Sequence, residues 1–130
     1  GILMRPFVVS KLVTPNGKTR DRTRPTKIRR AVSPTTAQDV GAMMVRAVEA
    51  GTGTAARIPG FEIGGKTGTA ETGVSGNNTT WFIGFAGAPG EKPKLAIAVV
   101  LQNQSLTGGA TAAPIARQVM QALLTPTANP

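Results

Sequence analysis

Few side chains in this sequence can do covalent or proton chemistry, and the most informative of them stand together at Lys66-Thr67-Gly68-Thr69. The chain has no histidine and no cysteine. That removes a Ser-His-Asp triad, a thiol nucleophile and thiolate zinc sites, and it takes the commonest ligand from any metal site. The carboxylates, Asp21, Asp39, Glu49, Glu62, Glu71 and Glu91, are scattered, with no two placed as a paired acid/base site. No cofactor and no metal is expected. The chemistry available is that of Ser, Thr, Lys, Arg and backbone amides.

Two patterns compete for Lys66 and Thr67. The run Gly60-Phe61-Glu62-Ile63-Gly64-Gly65-Lys66-Thr67 matches G-x-x-x-x-G-K-[ST], the loop that cradles phosphates. That mechanism needs a buried strand before the first glycine and a helix opening at the Lys-Thr, so that amides and helix dipole point at the ligand. Here Ala56-Arg57-Ile58-Pro59 precede, and Gly68, Gly73 and Gly76 follow, which oppose a helix. A nucleotide binder using residues 60–67 is the weaker reading. The other pattern sets Lys66-Thr67-Gly68-Thr69 along a strand. Side chains then alternate, so Lys66 points away from Thr67. Gly68 removes bulk so that an extended substrate can lie along the strand edge, and the threonine hydroxyls can bind a carboxylate.

The elements that would position this run are legible in outline. Ile2 to Val13 is rich in Ile, Leu, Phe and Val and runs into Thr14-Pro15-Asn16-Gly17, a tight-turn signature. A first hairpin follows, with its return strand within Lys18 to Arg30. Lys18, Arg20, Arg22 and Arg24 alternate there with polar residues, which would put four cations on one exposed face. Ser33-Pro34 is a helix start. Val40, Met43, Met44, Ala47 and Val48 recur at helical spacing as one core stripe, and Gly51 is the stop. Strands are expected around Lys66, at Trp81 to Ala86 and at Leu95 to Leu101, the last two joined through the Pro89-Gly90 turn. Trp81 is expected to pack on the sheet, and the polar stretch Glu71 to Thr80 to be mobile without ligand. Ile115, Val119 and Leu123 with Ala116, Met120 and Leu124 form two adjacent rows of a helix ended by Pro126. The predicted fold class is α+β, an antiparallel β-sheet covered by helices.

At 130 residues and 40% apolar content the chain is one domain or a piece of one. Its longest apolar run, Leu95 to Leu101, is far short of the roughly 20 residues of a spanning helix. The net charge of +9 favours anionic partners in general. A basic nucleic-acid-binding module built on the Lys18 to Arg30 cluster is the alternative outside the enzymes. No aromatic residue is interleaved with those cations to stack on bases, so no nucleic acid is expected as partner.

Longer stretches decide between the two patterns. Glu49-Ala50-Gly51-Thr52-Gly53-Thr54-Ala55-Ala56-Arg57-Ile58-Pro59-Gly60, then Gly64 to Glu71 around the Lys-Thr-Gly triplet, then Trp81-Phe82-Ile83-Gly84-Phe85-Ala86 together resemble the end of class B penicillin-binding proteins. So do Leu3-Met4-Arg5-Pro6 and Gly108-Gly109-Ala110-Thr111-Ala112-Ala113-Pro114-Ile115-Ala116, and the combination is most similar to the PbpA-type members of actinobacteria. The resemblance covers nearly the whole chain. It implies that residues 1–130 are the C-terminal part of a transpeptidase domain of the penicillin-binding protein and serine β-lactamase-like fold.

The departures are as informative. Ser-x-x-Lys occurs nowhere: Ser10, Ser33, Ser75 and Ser105 are followed three residues later by Val13, Thr36, Asn78 and Gly108. Ser75-Gly76-Asn77 spells Ser-x-Asn on the wrong side of the triplet and is read as a coincidence in a polar loop. The nucleophilic serine is therefore expected outside this chain, in the remainder of the domain or on a second chain. What the resemblance implies is a peptidoglycan D,D-transpeptidase that cross-links stem peptides through an acyl-serine and is acylated by β-lactam antibiotics. Lys66 would supply positive charge, Thr67, Gly68 and Thr69 would hold the substrate, and the Thr69 N–H would be one oxyanion donor. The working site would be extracytoplasmic, anchored to the membrane through an N-terminal segment not present in this chain.

Overall fold

The computed structural model describes residues 1–74 and 76–125. The chain divides into two compact units, one from Gly1 to Asp39 and one from Val40 onward.

The first unit holds four short strands: β1 (Ile2–Met4), β2 (Lys11–Val13), β3 (Thr19–Arg22) and β4 (Lys27–Arg30). The expected turn forms, with the Gly17 N–H donating to the Thr14 carbonyl at 2.9 Å and the Thr14 N–H to the Lys18 carbonyl at 2.8 Å. Gly17 sits at φ +79°, a conformation that glycine adopts without a Cβ penalty. The single return strand expected over 18–30 is in fact two. β3 pairs antiparallel with β2, and β4 with β1, as separate two-stranded ribbons. Pro25 lies between them and cannot donate to a ladder, which favours the break. Of the four alternating cations, only Arg20 and Arg22 are inside a strand, so the predicted cationic face is half as long.

Helix α1 (Pro34–Ala50) starts as its sequence requires. The Ser33 hydroxyl accepts from the Thr36 N–H at 3.0 Å, and proline occupies the first helical position. It stops where Gly51 and Gly53 both donate to the Ala47 carbonyl, at 3.1 and 3.0 Å. The stripe is the expected one in part: Met44, Ala47 and Val48 are among the less exposed positions, joined by Ala37, Gly41 and Val45, whereas Val40 is 44% and Met43 62% exposed.

The second unit carries a three-stranded antiparallel sheet, β5 (Glu62–Ala70), β6 (Asn78–Gly87) and β7 (Leu95–Gln104), in that spatial order. Helix α2 (Ala112–Leu124) follows. On one sheet face, Ile63 of β5, Phe82 and Ala86 of β6 and the inward residues of β7 meet Val48 of α1, the turn at Thr54–Ala56 and Ala112, Ala113, Ala116 and Met120 of α2. Only one of the two apolar rows of α2 is buried, since Ile115, Val119 and Leu123 remain exposed. The α+β sheet-and-helix architecture is as expected. Pro126, expected to end α2, lies outside the described residues, as does Ser75.

Candidate functional site

β5 runs without interruption from Glu62 through Ala70, paired residue by residue with β6 from Gly87 to Thr79. Gly64, Gly65, Lys66 and Thr67 are therefore strand residues, and no helix opens at Lys66-Thr67. The phosphate-loop reading of residues 60–67 fails on this point. Its amides cannot converge on a phosphate when every second one is committed to the ladder.

Three glycines allow this strand to exist. A Cβ on Gly64 would meet the Phe85 ring, one on Gly65 the Phe82 ring, and one on Gly68 the Trp81 indole. All three rings belong to the paired strand β6, so β5 carries aromatic cover in place of side chains of its own. Trp81 packs on the sheet as expected.

The side chains alternate. Ile63, Gly65 and Thr67 face the core and are buried, while Lys66 is exposed on the opposite face. The backbone alternates too. A Cβ on Gly108 would strike the carbonyl oxygens of both Gly68 and Trp81, so the carbonyls of these direct partners lie between their strands. They form a hydrogen-bonded pair of the ladder. By the same period, Lys66 and Gly64 bond to β6, and the N–H and C=O groups of Gly65, Thr67 and Thr69 point to the other edge of β5. Among the described residues no strand pairs with that edge.

Lys66 reaches back to this edge, where its Nζ donates to the Thr67 carbonyl. Among the described residues Lys66 has no ion-pair partner, the two ion pairs being Arg46–Glu49 and Lys94–Glu91. Thr67 is 7% exposed, and its hydroxyl lies 2.7 Å from that of Thr52. Thr69 is exposed, and its Oγ1 accepts from the Gly108 N–H at 3.2 Å. Gly108 begins the turn that feeds α2, whose first amides, Ala112 and Ala113, donate to the Gly108 carbonyl at 3.0 Å. The N-terminal end of a helix, with its partial positive charge, thus stands beside Thr69.

An ammonium, unpaired backbone amides and two threonine hydroxyls converge on one strand edge. Such an arrangement can pair with an extended peptide, attract its terminal carboxylate and donate to a developing oxyanion. Of the four residues singled out in the sequence, Thr67 and Thr69 present their main chain at this edge, Lys66 reaches it through its side chain, and Gly68 stands between the two threonines with its own main chain turned to β6. Thr52 and Gly108 were missed. Thr52 is fifteen residues from Thr67 and Gly108 thirty-nine from Thr69, and no local pattern announces contacts of that separation.

Comparison with known proteins is consistent in sequence and in fold. The family model described as the penicillin binding protein transpeptidase domain matches residues 1–121. The peptidoglycan D,D-transpeptidase PbpA of Mycolicibacterium smegmatis is 44% identical over 131 residues, which cover 95% of this chain and 26% of that protein. Its counterpart in Mycobacterium tuberculosis is 43% identical over the same length. Penicillin-binding protein A from M. tuberculosis, solved as an imipenem acyl-enzyme complex, superposes with a TM-score of 0.80 at 40% identity over 96% of this chain and 27% of that one. The chain spans about a quarter of the length of these relatives.

Proposed function

The chain belongs to the penicillin-binding protein transpeptidase family, and from that premise we propose that it supplies the Lys-Thr-Gly strand of a peptidoglycan D,D-transpeptidase whose nucleophilic serine lies outside these residues. The observation that carries the reading is the edge of β5 that no described strand pairs with, which presents Lys66 and the main chain of Thr67 and Thr69 together.

In this reaction the serine oxygen attacks the carbonyl carbon of the penultimate D-alanine of a stem peptide. A serine ester forms, the peptide C–N bond breaks, and D-alanine leaves with a proton on its nitrogen. An amine from a neighbouring peptidoglycan strand then attacks the ester, forms the new amide and returns the proton to the serine. β-Lactams enter the first step through their strained amide. The substrate peptide lies antiparallel or parallel along β5, which is possible because Gly68 adds no side chain and the edge amides are unpaired. The Thr69 N–H donates to the carbonyl oxygen as it becomes an oxyanion. A missing donor of this kind typically costs on the order of 10²–10³ in rate. The Thr67 and Thr69 hydroxyls receive the terminal carboxylate of substrate or antibiotic, and the Lys66 ammonium adds positive charge beside them. The partners are stem peptides, β-lactams and the part of the transpeptidase domain that carries the serine, on the same or a second polypeptide. Because peptidoglycan lies outside the cytoplasmic membrane, the site works extracytoplasmically, with the membrane anchor in a segment preceding these residues.

The test is intact-mass spectrometry of the complete protein after incubation with a fluorescent penicillin. One penicilloyl adduct is expected, on a peptide other than those of this chain. Lys66→Ala should slow that acylation by at least about a hundredfold, the scale of losing one charged participant in a preorganised site. An adduct forming at the unaltered rate in the Lys66→Ala protein would remove Lys66 from the site, and no adduct at all would overturn the reading.

A further inference from the structure

The Thr67 hydroxyl is nearly enclosed, and among the described residues its one hydrogen-bond partner is the Thr52 hydroxyl, 2.7 Å away. A hydroxyl has one proton to give and two lone pairs to accept with. If Thr67 donates to Thr52, it has no proton for an anion. If Thr52 donates to Thr67, the Thr67 proton is released to point elsewhere, and its oxygen is held by the incoming bond. Which of these holds is therefore decisive for any role of Thr67 toward a carboxylate.

The structure invests in the placement of Thr52. Gly51 and Gly53 on either side of it both donate to the Ala47 carbonyl, which fixes the backbone at the end of α1. From the other side the turn before α2 presses on it: a Cβ on Gly109 would collide with the Thr52 carbonyl oxygen, so glycine is required there. Behind it, a Cβ on Gly53 would come within 3.2 Å of the Val48 side chain. The same turn supplies the Gly108 N–H that donates to the Thr69 hydroxyl. One packed junction, formed by the end of α1 and the start of α2, thus provides a hydrogen bond to each of the two threonines of β5.

We infer that Thr52 is a positioning residue for carboxylate recognition: when an anion binds at the β5 edge, Thr52 donates to the Thr67 oxygen and Thr67 donates to the carboxylate, a two-hydroxyl relay that orients the Thr67 proton. The inference rests on the transpeptidase reading above and extends it to a residue outside the Lys-Thr-Gly run. The charge on the ligand selects the orientation, because a hydrogen bond to a carboxylate is stronger than one between neutral hydroxyls, and bonds in a chain polarise one another. Gly108 acts in parallel on Thr69: by occupying one Oγ1 lone pair it leaves the Thr69 proton for the same anion.

The experiment compares acylation of the complete protein by benzylpenicillin and by its methyl ester, which keeps the reactive ring and lacks the carboxylate. Thr52→Val preserves shape and deletes the hydroxyl. It should lower the acylation rate constant per unit benzylpenicillin about tenfold, the equivalent of one ordinary hydrogen bond to a charged system, while the methyl ester reacts within twofold of the unsubstituted protein. Thr52→Ser should restore most of the loss. Thr67→Val should show the same selectivity, and adding Thr52→Val to it should cost nothing further, since both act through one relay. The methyl ester rate also reports a folded site in every variant. Equal losses for both antibiotics, no loss in Thr52→Val, or additive losses in the double variant would overturn the relay. Failure of the unsubstituted protein to form an adduct with either compound is a different result, which overturns the transpeptidase reading and the relay with it.

Discussion

Gly65 and Gly68 stand three residues apart on β5 and exclude a side chain for opposite reasons. A Cβ on Gly65 meets Phe82, which is fully buried and has nowhere to go. A Cβ on Gly68 meets Trp81, which is only partly buried and can tilt away at the cost of its contact with the strand. Gly65→Ala should therefore destabilise the complete protein by about 1–3 kcal/mol or more, as overpacking a closed core does, read as a lowered thermal midpoint. Gly68→Ala should cost less stability and more acylation by penicillin, because the displaced indole and the new methyl both disturb the edge that the substrate must follow. An equal fall of midpoint in the two variants would contradict the distinction. The residue types of the site could be read from the sequence because Lys-Thr-Gly-Thr is a contiguous word whose alternation follows from strand geometry alone. The neighbour that fills each glycine's empty position lies on another strand, and no contiguous word records it.

At the scale of elements, α2 separates two rows that the sequence presents as equals. Ala112, Ala113, Ala116 and Met120 are fully buried against the sheet, whereas Val119 is 44% exposed. Met120→Ala should cost about 2–5 kcal/mol and Val119→Ala well under half of that, since only the first opens a cavity. Equal thermal shifts would mean that the buried face is misassigned. A second element-scale prediction concerns how α2 is tied to the sheet. The Thr111 hydroxyl donates to the Thr107 carbonyl at 3.0 Å, so the 2.8 Å contact between Thr80 and Thr111 has Thr80 as its donor. Thr80 is fully buried, and Thr80→Val should lose about 1 kcal/mol, the net worth of one such bond. Helix and strand existence was legible here because the apolar periods of 3.6 and 2 differ clearly. The choice between adjacent rows was not, because either row satisfies the period and only the partner surface selects one. The same holds on α1, where Val40 and Met43 fit the helical period as well as Val45 does, yet Val45 is half-buried and the other two are exposed.

For the molecule as a whole, the sequence contains no Ser-x-x-Lys, and the chain matches about a quarter of the length of its relatives. The 130-residue polypeptide alone should therefore leave the mass spectrum unchanged after incubation with penicillin; a penicilloyl adduct on one of its own serines would locate a nucleophile within it. Ile83, Ala96, Ala98 and Val100 lie exposed on the sheet face opposite α2, the face that also bears Lys66. By itself, the sequence determined the α+β class, the turn at Asn16-Gly17, the caps of α1, the strand nature of Lys66 to Thr69 and the family, because each of these rests on residues adjacent in the chain or repeated at a fixed period. Only the tertiary structure decided that residues 18–30 form two strands rather than one, which row of α2 is buried, that the edge of β5 carrying the Thr67 and Thr69 amides has no partner among the described strands, and that Thr52 and Gly108 reach those threonines. These are contacts between segments far apart in sequence. Their energy depends on shape and hydrogen-bond direction at a junction that exists only once α1, β5 and α2 have packed together.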